Sequence, residues 1–117
     1  MFKEVKIGGK NLPMVANAAT AIRYKQVFGR DLLKEMSADD DLSVAGLVQE
    51  LGYIMAMAGA GEDMNKLNNE TYIKWLEGFD ALDFFDENVA TDIMNLWQGN
   101  KEVSAQAKKK SEQPSEA

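Results

Sequence analysis

The sequence predicts a mostly α, α+β domain: an N-terminal β-hairpin, four or five helices and a polar C-terminal tail. Three observations carry that prediction. Phe2, Val5 and Ile7 lie among Lys3, Glu4 and Lys6 just before Gly8-Gly9, and a second short run, Lys10 to Val15, follows. Between Val44 and Ala58 the apolar residues recur at i, i+3, i+4 and i+7, the period of a helix face. Beyond Gly99 no apolar residue is larger than Val103, so that stretch buries too little surface to offset the entropy of ordering its backbone. Residues 1–99 are accordingly read as a single folded domain and 100–117 as a flexible tail. A chain of this length supports one modest core.

Each element has its own signal. Gly8-Gly9 supplies the positive φ that a two-residue hairpin turn requires. Pro13 has no N–H for a ladder, which makes the second strand an edge or a bulged strand. Asn17 is placed to cap a helix over Ala18–Phe28, with Ala18, Ala21, Ile22 and Phe28 on its apolar face and the Lys25 stem between them. Gly29 suits the left-handed residue that ends it. Asp31 caps a short helical turn through Met36. After the acidic loop Ser37–Asp41, Asp41 caps the long helix Leu42–Ala58, which Gly59-Ala60-Gly61 ends. Gly46 and Gly52 inside that helix each lose about 1 kcal/mol relative to alanine, so a close neighbour is expected at both. Asn68 caps an aromatic helix bearing Tyr72, Ile73, Trp75, Leu76 and Phe79, with Leu67 and Tyr72 as a hydrophobic staple. A link through Phe84 and Phe85 leads to a last helix, Asp86 to Trp97, with Val89, Ile93, Leu96 and Trp97 on one face and Gly99 closing it.

Composition narrows the chemistry. There is no cysteine and no histidine, which removes the thiolate nucleophile, the commonest general base and the commonest transition-metal ligand. Asp39-Asp40-Asp41 fails as a calcium loop: counted from Asp39, position six is Val44 rather than glycine, and position twelve is Glu50 inside the periodic helix. Asp80, Asp83, Asp86 and Glu87 surround apolar residues at a helix entrance, where the helix dipole favours negative charge without any catalytic role. Neither Gly8-Gly9 nor Gly59-Ala60-Gly61 matches a phosphate-binding pattern. No enzyme, metal or cofactor is expected. Met1-Phe2-Lys3-Glu4 opens into mixed charge with no apolar signal region, and no apolar run reaches membrane-spanning length.

The net charge of −6 conceals a gradient. Residues 1–34 carry seven bases against two acids, whereas residues 35–99 carry two bases against fourteen acids. An acidic majority without a basic stripe disfavours nucleic acid. The gradient reads either as a solvated surface or as complementary ends that meet head to tail. In the second case Arg23, Lys25 and Arg30 of one copy face Asp39, Asp40 and Asp41 of another. Seven methionines and ten aromatics are ample for a core, and methionine also recurs on surfaces that receive apolar helices. Met57, two residues beyond Met55, is turned about 160° from it and leaves the main face of the long helix. A second face through Tyr53 and Met57, joined by Trp75 and Phe84, is the expected apolar contact surface.

These elements together resemble a known family. The Gly-Gly hairpin leads into Ala18-Ala19-Thr20-Ala21-Ile22-Arg23-Tyr24 and Phe28-Gly29-Arg30-Asp31. The long helix, Tyr72-Ile73-Lys74-Trp75-Leu76, a helix ending Leu96-Trp97 and a Lys/Ser/Glu tail follow. Over nearly its whole length this layout resembles the tail assembly chaperones of long-tailed phages and prophages, especially of Gram-positive hosts. The resemblance implies a non-enzymatic, self-associating protein of the host cytoplasm, absent from the finished virion. It implies binding to the tape measure protein, kept soluble until tube subunits polymerise around it. It also implies, in many such phages, a frameshifted extension that recruits the tail tube protein. A structural tail or head-completion component retained in the virion is the alternative. Lys108-Lys109-Lys110 is where an A-rich slippery run would fall; nucleotide sequencing there is expected to show that run with an overlapping downstream frame, and the lack of either removes the extension.

Overall fold

The computed structural model describes the backbone of residues 2–36 and 41–112, and the side chains of 2–35 and 46–99. Strands β1 (Phe2–Ile7) and β2 (Lys10–Val15) pair antiparallel in an unbroken register from Phe2↔Val15 to Ile7↔Lys10. Gly8 and Gly9 have φ of 57° and 83°, the doubly left-handed turn whose twist matches the strands. Pro13 sits opposite Glu4 without a bulge; in a two-stranded sheet both strands are edges, so its missing donor faces outward. Val5, Ile7 and Met14 are buried.

Five helices follow: α1 (Thr20–Phe28), α2 (Leu32–Met36), α3 (Asp41–Gly59), α4 (Asn69–Leu76) and α5 (Glu87–Glu112), with short 3₁₀ turns at Met64–Lys66 and Asp83–Phe85. This is the mostly helical α+β layout that the sequence predicts. Among the described residues no helix is long and apolar enough to cross a membrane.

Helix α3 is the centre. It packs against β2, α1, α2, α4, α5 and the second 3₁₀ turn, and every residue from Leu51 to Ala56 is buried. A helix apolar on all sides belongs in an interior. Close approach on this helix is real, though not at both expected glycines. At Gly52 a Cβ would lie 2.9 Å from Ile93 Cδ1 of α5. At Gly46 a Cβ meets nothing within 4 Å among the described residues, so none of these explains that glycine. The tightest approach falls instead at Gly59, expected only to end the helix: a Cβ there would overlap the Pro13 carbonyl and lie 2.9 Å from Met14 N. The backbone of β2 rests directly on the last turn of α3. That turn then closes through Gly61 N–H to Ala58 O (3.2 Å) and Glu62 N–H to Met57 O (3.1 Å), with Gly61 at φ 73°, a Schellman ending.

The caps divide in the same way. Gly29 ends α1 at φ 71° with its N–H on Lys25 O, and Asp31 Oδ1 accepts Leu33 N–H at 3.0 Å. Asn68 and Thr71 form a reciprocal capping box on α4. Asn17 does not cap a helix starting at Ala18. Its Oδ1 accepts Ala19 N–H and its own N–H donates to Thr20 Oγ1, both at 2.9 Å, which closes a turn and delays α1 to Thr20. The buried face of α1 is also different from the expected one. Thr20 and Tyr24 face inward while Ile22 is exposed, because Tyr24 fills more volume and finds a partner for its hydroxyl.

Helix α5 buries Val89, Ile93, Leu96 and Trp97 as predicted. It does not stop at Gly99. Its backbone stays helical to Glu112, about 39 Å at 1.5 Å per residue. Lys, Glu, Gln and Ala dominate residues 101–110 and are strong helix formers, against which one glycine is a local loss of about 1 kcal/mol rather than a terminator. Residues 113–117, the end of the expected tail, lie outside the described residues.

Two glycine substitutions separate contact from propensity. Gly59→Ala forces β2 off α3 and is expected to destabilise by about 2–4 kcal/mol, the scale of overpacking against backbone. Gly46→Ala is expected to stabilise by up to about 1 kcal/mol. Urea unfolding of both variants followed by circular dichroism checks the sign and the order.

Candidate interaction surface

Seven of the ten aromatic rings form one continuous row. Tyr24 and Phe28 of α1 meet Tyr72 of α4, which meets Tyr53 of α3; Trp75 and Phe79 follow, and Phe84 closes the far end. Adjacent centroids are 5.0–5.6 Å apart in tilted or edge-on pairs, the arrangement that ring quadrupoles favour. Two cations flank the row: Arg30 Cζ is 5.9 Å from the Tyr24 and Phe28 rings, and Lys10 Nζ is 5.0 Å from that of Phe79. Lys10 Nζ also donates to Gly78 O at 2.7 Å, tying β2 to the exit of α4.

The polar tips of this row are satisfied inside the fold. Tyr24 O–H donates to Glu50 Oε1 at 2.7 Å, and Arg30 pairs with the other oxygen of the same carboxylate and, at 3.9 Å, with Glu35. The Tyr53 hydroxyl lies 2.7 Å from Thr71 Oγ1, so the residue that caps α4 also partners a core tyrosine. Burial pushes the Tyr24 phenol well above its usual range, and the Glu50 carboxylate beside it adds to the shift. Burial likewise raises Tyr72, helped by the charge of Glu50, and raises Tyr53 against the opposing bond to Thr71.

This arrangement changes the expected contact surface. Tyr53 and Phe84 are 1% and 4% exposed; both are interior links of the row and present no face to a partner. The reason is the crowding of α3, whose second apolar side is covered by α1 and α4 instead of lying open. Met57 and Trp75 pack on the core and stay half-buried. The four expected contact residues therefore do not form one patch. Of the expected self-association set, Arg30 is engaged by Glu50 and Glu35 of its own chain. Arg23 Nη1 donates to Gln26 Oε1 (3.1 Å) and Asn65 Oδ1 (2.9 Å), and Lys25 is exposed. Asp39 and Asp40 lie outside the described residues, as does the side chain of Asp41, which is the first residue of α3 rather than its cap.

The surface that the fold does offer lies at the second 3₁₀ turn. With three residues per turn, side chains at i and i+3 eclipse, so such a turn has three faces. Phe85 N–H bonds to Leu82 O at 3.1 Å, so Leu82, at the entrance of the turn, and Phe85, at its end, stand one turn apart; they are 76% and 61% exposed. Phe84 points into the core. Asp83, in the turn, and Asp86, the extended residue after it, both line the groove beside the hairpin turn. Asp83 reaches so close to Gly8 that a Cβ there would overlap its carboxylate. Asp83 Oδ2 accepts Asp80 N–H at 2.8 Å, and Asp86 caps α5 through Asn88 N–H, also at 2.8 Å. Beside this face runs a groove of about 380 Å³ lined by Lys6, Gly8, Gly9, Leu82, Asp83, Asp86, Asn88 and Asp92. Asp92 is paired with Lys3 at 3.1 Å. Sequence reasoning selected Phe84 and passed over its neighbours; a three-residue period through Leu82, Phe85 and Asp83, Asp86 is the signal that separates them.

Among the described residues no group of three or more acidic side chains is placed to hold a metal ion. Compared with protein-family models, curated proteins and solved structures, the chain matches none.

The three tyrosines supply a pH test. A phenol whose folded pKa is raised leaves stability untouched below its unfolded pKa of about 10 and withdraws it as pH climbs from there toward the folded value, because only the unfolded chain ionises in that window. Stability is therefore expected to fall steeply above about pH 10. Tyrosinate absorbance should appear together with loss of ellipticity. Ionisation of two or more tyrosines in a chain that keeps its helical signal would contradict the geometry.

Proposed function

We propose that this chain is a tail assembly chaperone of a long-tailed phage or prophage, which binds the tape measure protein non-enzymatically and keeps it soluble during tail tube assembly. The sequence layout from the Gly-Gly hairpin through Leu96-Trp97 and the lysine-rich end supports this reading. The observation that carries it on the folded chain is the pair Leu82 and Phe85, large apolar side chains held in the open among carboxylates. A long apolar helical client needs a binder that covers apolar surface while adding charge, and a net charge of −6 opposes aggregation of the resulting complex. Under this reading the protein acts in the host cytoplasm and self-associates. A frameshifted form recruits the tail tube protein, and none of it remains in the mature particle.

Co-expression with the large helical protein encoded immediately downstream tests the proposal. The expected outcome is a soluble complex of the two, with the partner aggregating when expressed alone and the chaperone missing from purified particles. A chain that neither binds nor rescues that partner, and is recovered in particles, belongs to the virion instead.

A further inference from the structure

We infer that the outward face of the second 3₁₀ turn, Leu82 and Phe85 with the acidic groove beside it, is a docking site for amphipathic helical segments that carry lysine or arginine next to their apolar stripe. The inference deepens the client-binding reading and rests on it, adding which surface takes the client and which segments it takes. Isolated exposed apolar residues are ordinary on a protein surface. These two are distinguished by three things.

They stand one turn apart, joined by the Phe85 N–H to Leu82 O bond, the spacing at which side chains of such a turn come together as an apolar knob. The turn is anchored from behind. Phe84 belongs to the aromatic row, in contact with Trp75 and Phe79, and Asp83 is seated against Gly8. The knob is thus held before any partner arrives, which lowers the ordering entropy that binding must overcome. The surroundings select the charge of the occupant. Asp80, Asp83, Asp86, Glu87 and Asp92 lie on or beside the turn and groove against Lys6, with Lys3 already paired to Asp92. An acidic segment is repelled here. A neutral one gains only the apolar contact, and a cationic one gains both that contact and faster encounter. Exposed Ile22 on α1 lies beside Arg23 and Lys25 rather than carboxylates, and exposed Ile73 on α4 has Lys74 next to it as well as Glu70 and Glu77.

Two synthetic amphipathic helices with the same leucine stripe serve as probes, one flanked by lysine and one by glutamate. Binding to the full chain is read by fluorescence anisotropy and calorimetry. The lysine probe is expected to bind more tightly than the glutamate probe and to weaken with added salt. It should lose about tenfold in affinity in Leu82→Ser/Phe85→Ser. Both positions are exposed, so the variant should keep its ellipticity and melting transition; Asp80→Asn/Glu87→Gln, which leaves the apolar knob intact, is the second variant and should reduce the preference between probes. Full binding to the double serine variant, or equal binding of both probes, overturns the site while the downstream co-expression result still stands for the client reading. A change in sedimentation of the free protein on the serine substitutions, without loss of probe binding, assigns the face to a second copy and also overturns it. Loss of co-expression rescue by the wild-type chain, with the probe result intact, sinks the phage client alone.

Discussion

Burial of α3 on every side is the constraint from which the rest of this fold follows. A helix with no exposed residue from Leu51 to Ala56 must be enclosed by several partners at once, and a chain this short has few to give. The hairpin takes one side, α1 and α2 another, α4 a third and α5 a fourth. Packing so many elements around one axis demands places where backbones nearly touch. Gly59 is such a place for β2 and Gly52 for α5. An isolated two-stranded hairpin is marginal in water; here it is held by its seat on the helix end, by Met14, Val5 and Ile7 in the core, and by Lys3 on Asp92.

Enclosure of α3 also creates a polar problem, since two of the three tyrosines, Tyr24 and Tyr53, are buried there. An unpartnered hydroxyl in such a place costs about 1–3 kcal/mol. Both have partners. Tyr53 has Thr71, itself fixed by the cap of α4; Tyr24 has Glu50, itself neutralised by Arg30. The Arg30–Glu50 pair is partly desolvated, and such pairs contribute little net stability against an apolar replacement. What the pair does here is positional. It joins the loop after α1 to the middle of α3 and keeps the first ring of the aromatic row in place. Among the described residues no buried side-chain nitrogen or oxygen lacks a hydrogen-bond partner.

Local signals were legible in the sequence wherever one residue type has one dominant use. Gly8-Gly9, Gly29, Asp31 and Asn68 act where their backbone chemistry places them, and the stripe of α3 from Leu47 to Met55 and that of α5 are core, the side chain of Val44 lying outside the described residues. The losses came where a signal reports that a face is apolar without saying how many neighbours it has. Tyr53 off the main stripe of α3 reads as a spare surface, yet α1 and α4 cover it. Ile22 looks more suited to burial than Tyr24 until Glu50 is known to lie opposite, 26 residues away in sequence. Gly99 resembles a stop because large apolar residues end there, but helix continuation depends on the backbone preferences of the Lys, Glu, Gln and Ala that follow. The candidate surface was half legible. The aromatic and acidic density around residues 79–87 is evident, while the choice of Phe84 for the interior and Leu82 and Phe85 for the exterior depends on a three-residue turn that a helical period of 3.6 does not reveal.

The same turn reconciles two requirements that ordinarily conflict. A binding surface for apolar segments must expose apolar side chains, and a protein that exposes them risks associating with itself. A flat patch would meet its own copies readily. Leu82 and Phe85 instead form a narrow knob with carboxylates on the adjoining face, so two copies approaching through it bring like charges together, at a cost of several kcal/mol for closely opposed groups. A partner of opposite charge meets no such barrier. Discrimination then comes from the repulsive element as much as from the attractive one. Gly8 is part of this device: only a residue without a side chain lets Asp83 sit against the hairpin turn, and without that seat the acidic face would not stand beside the apolar one.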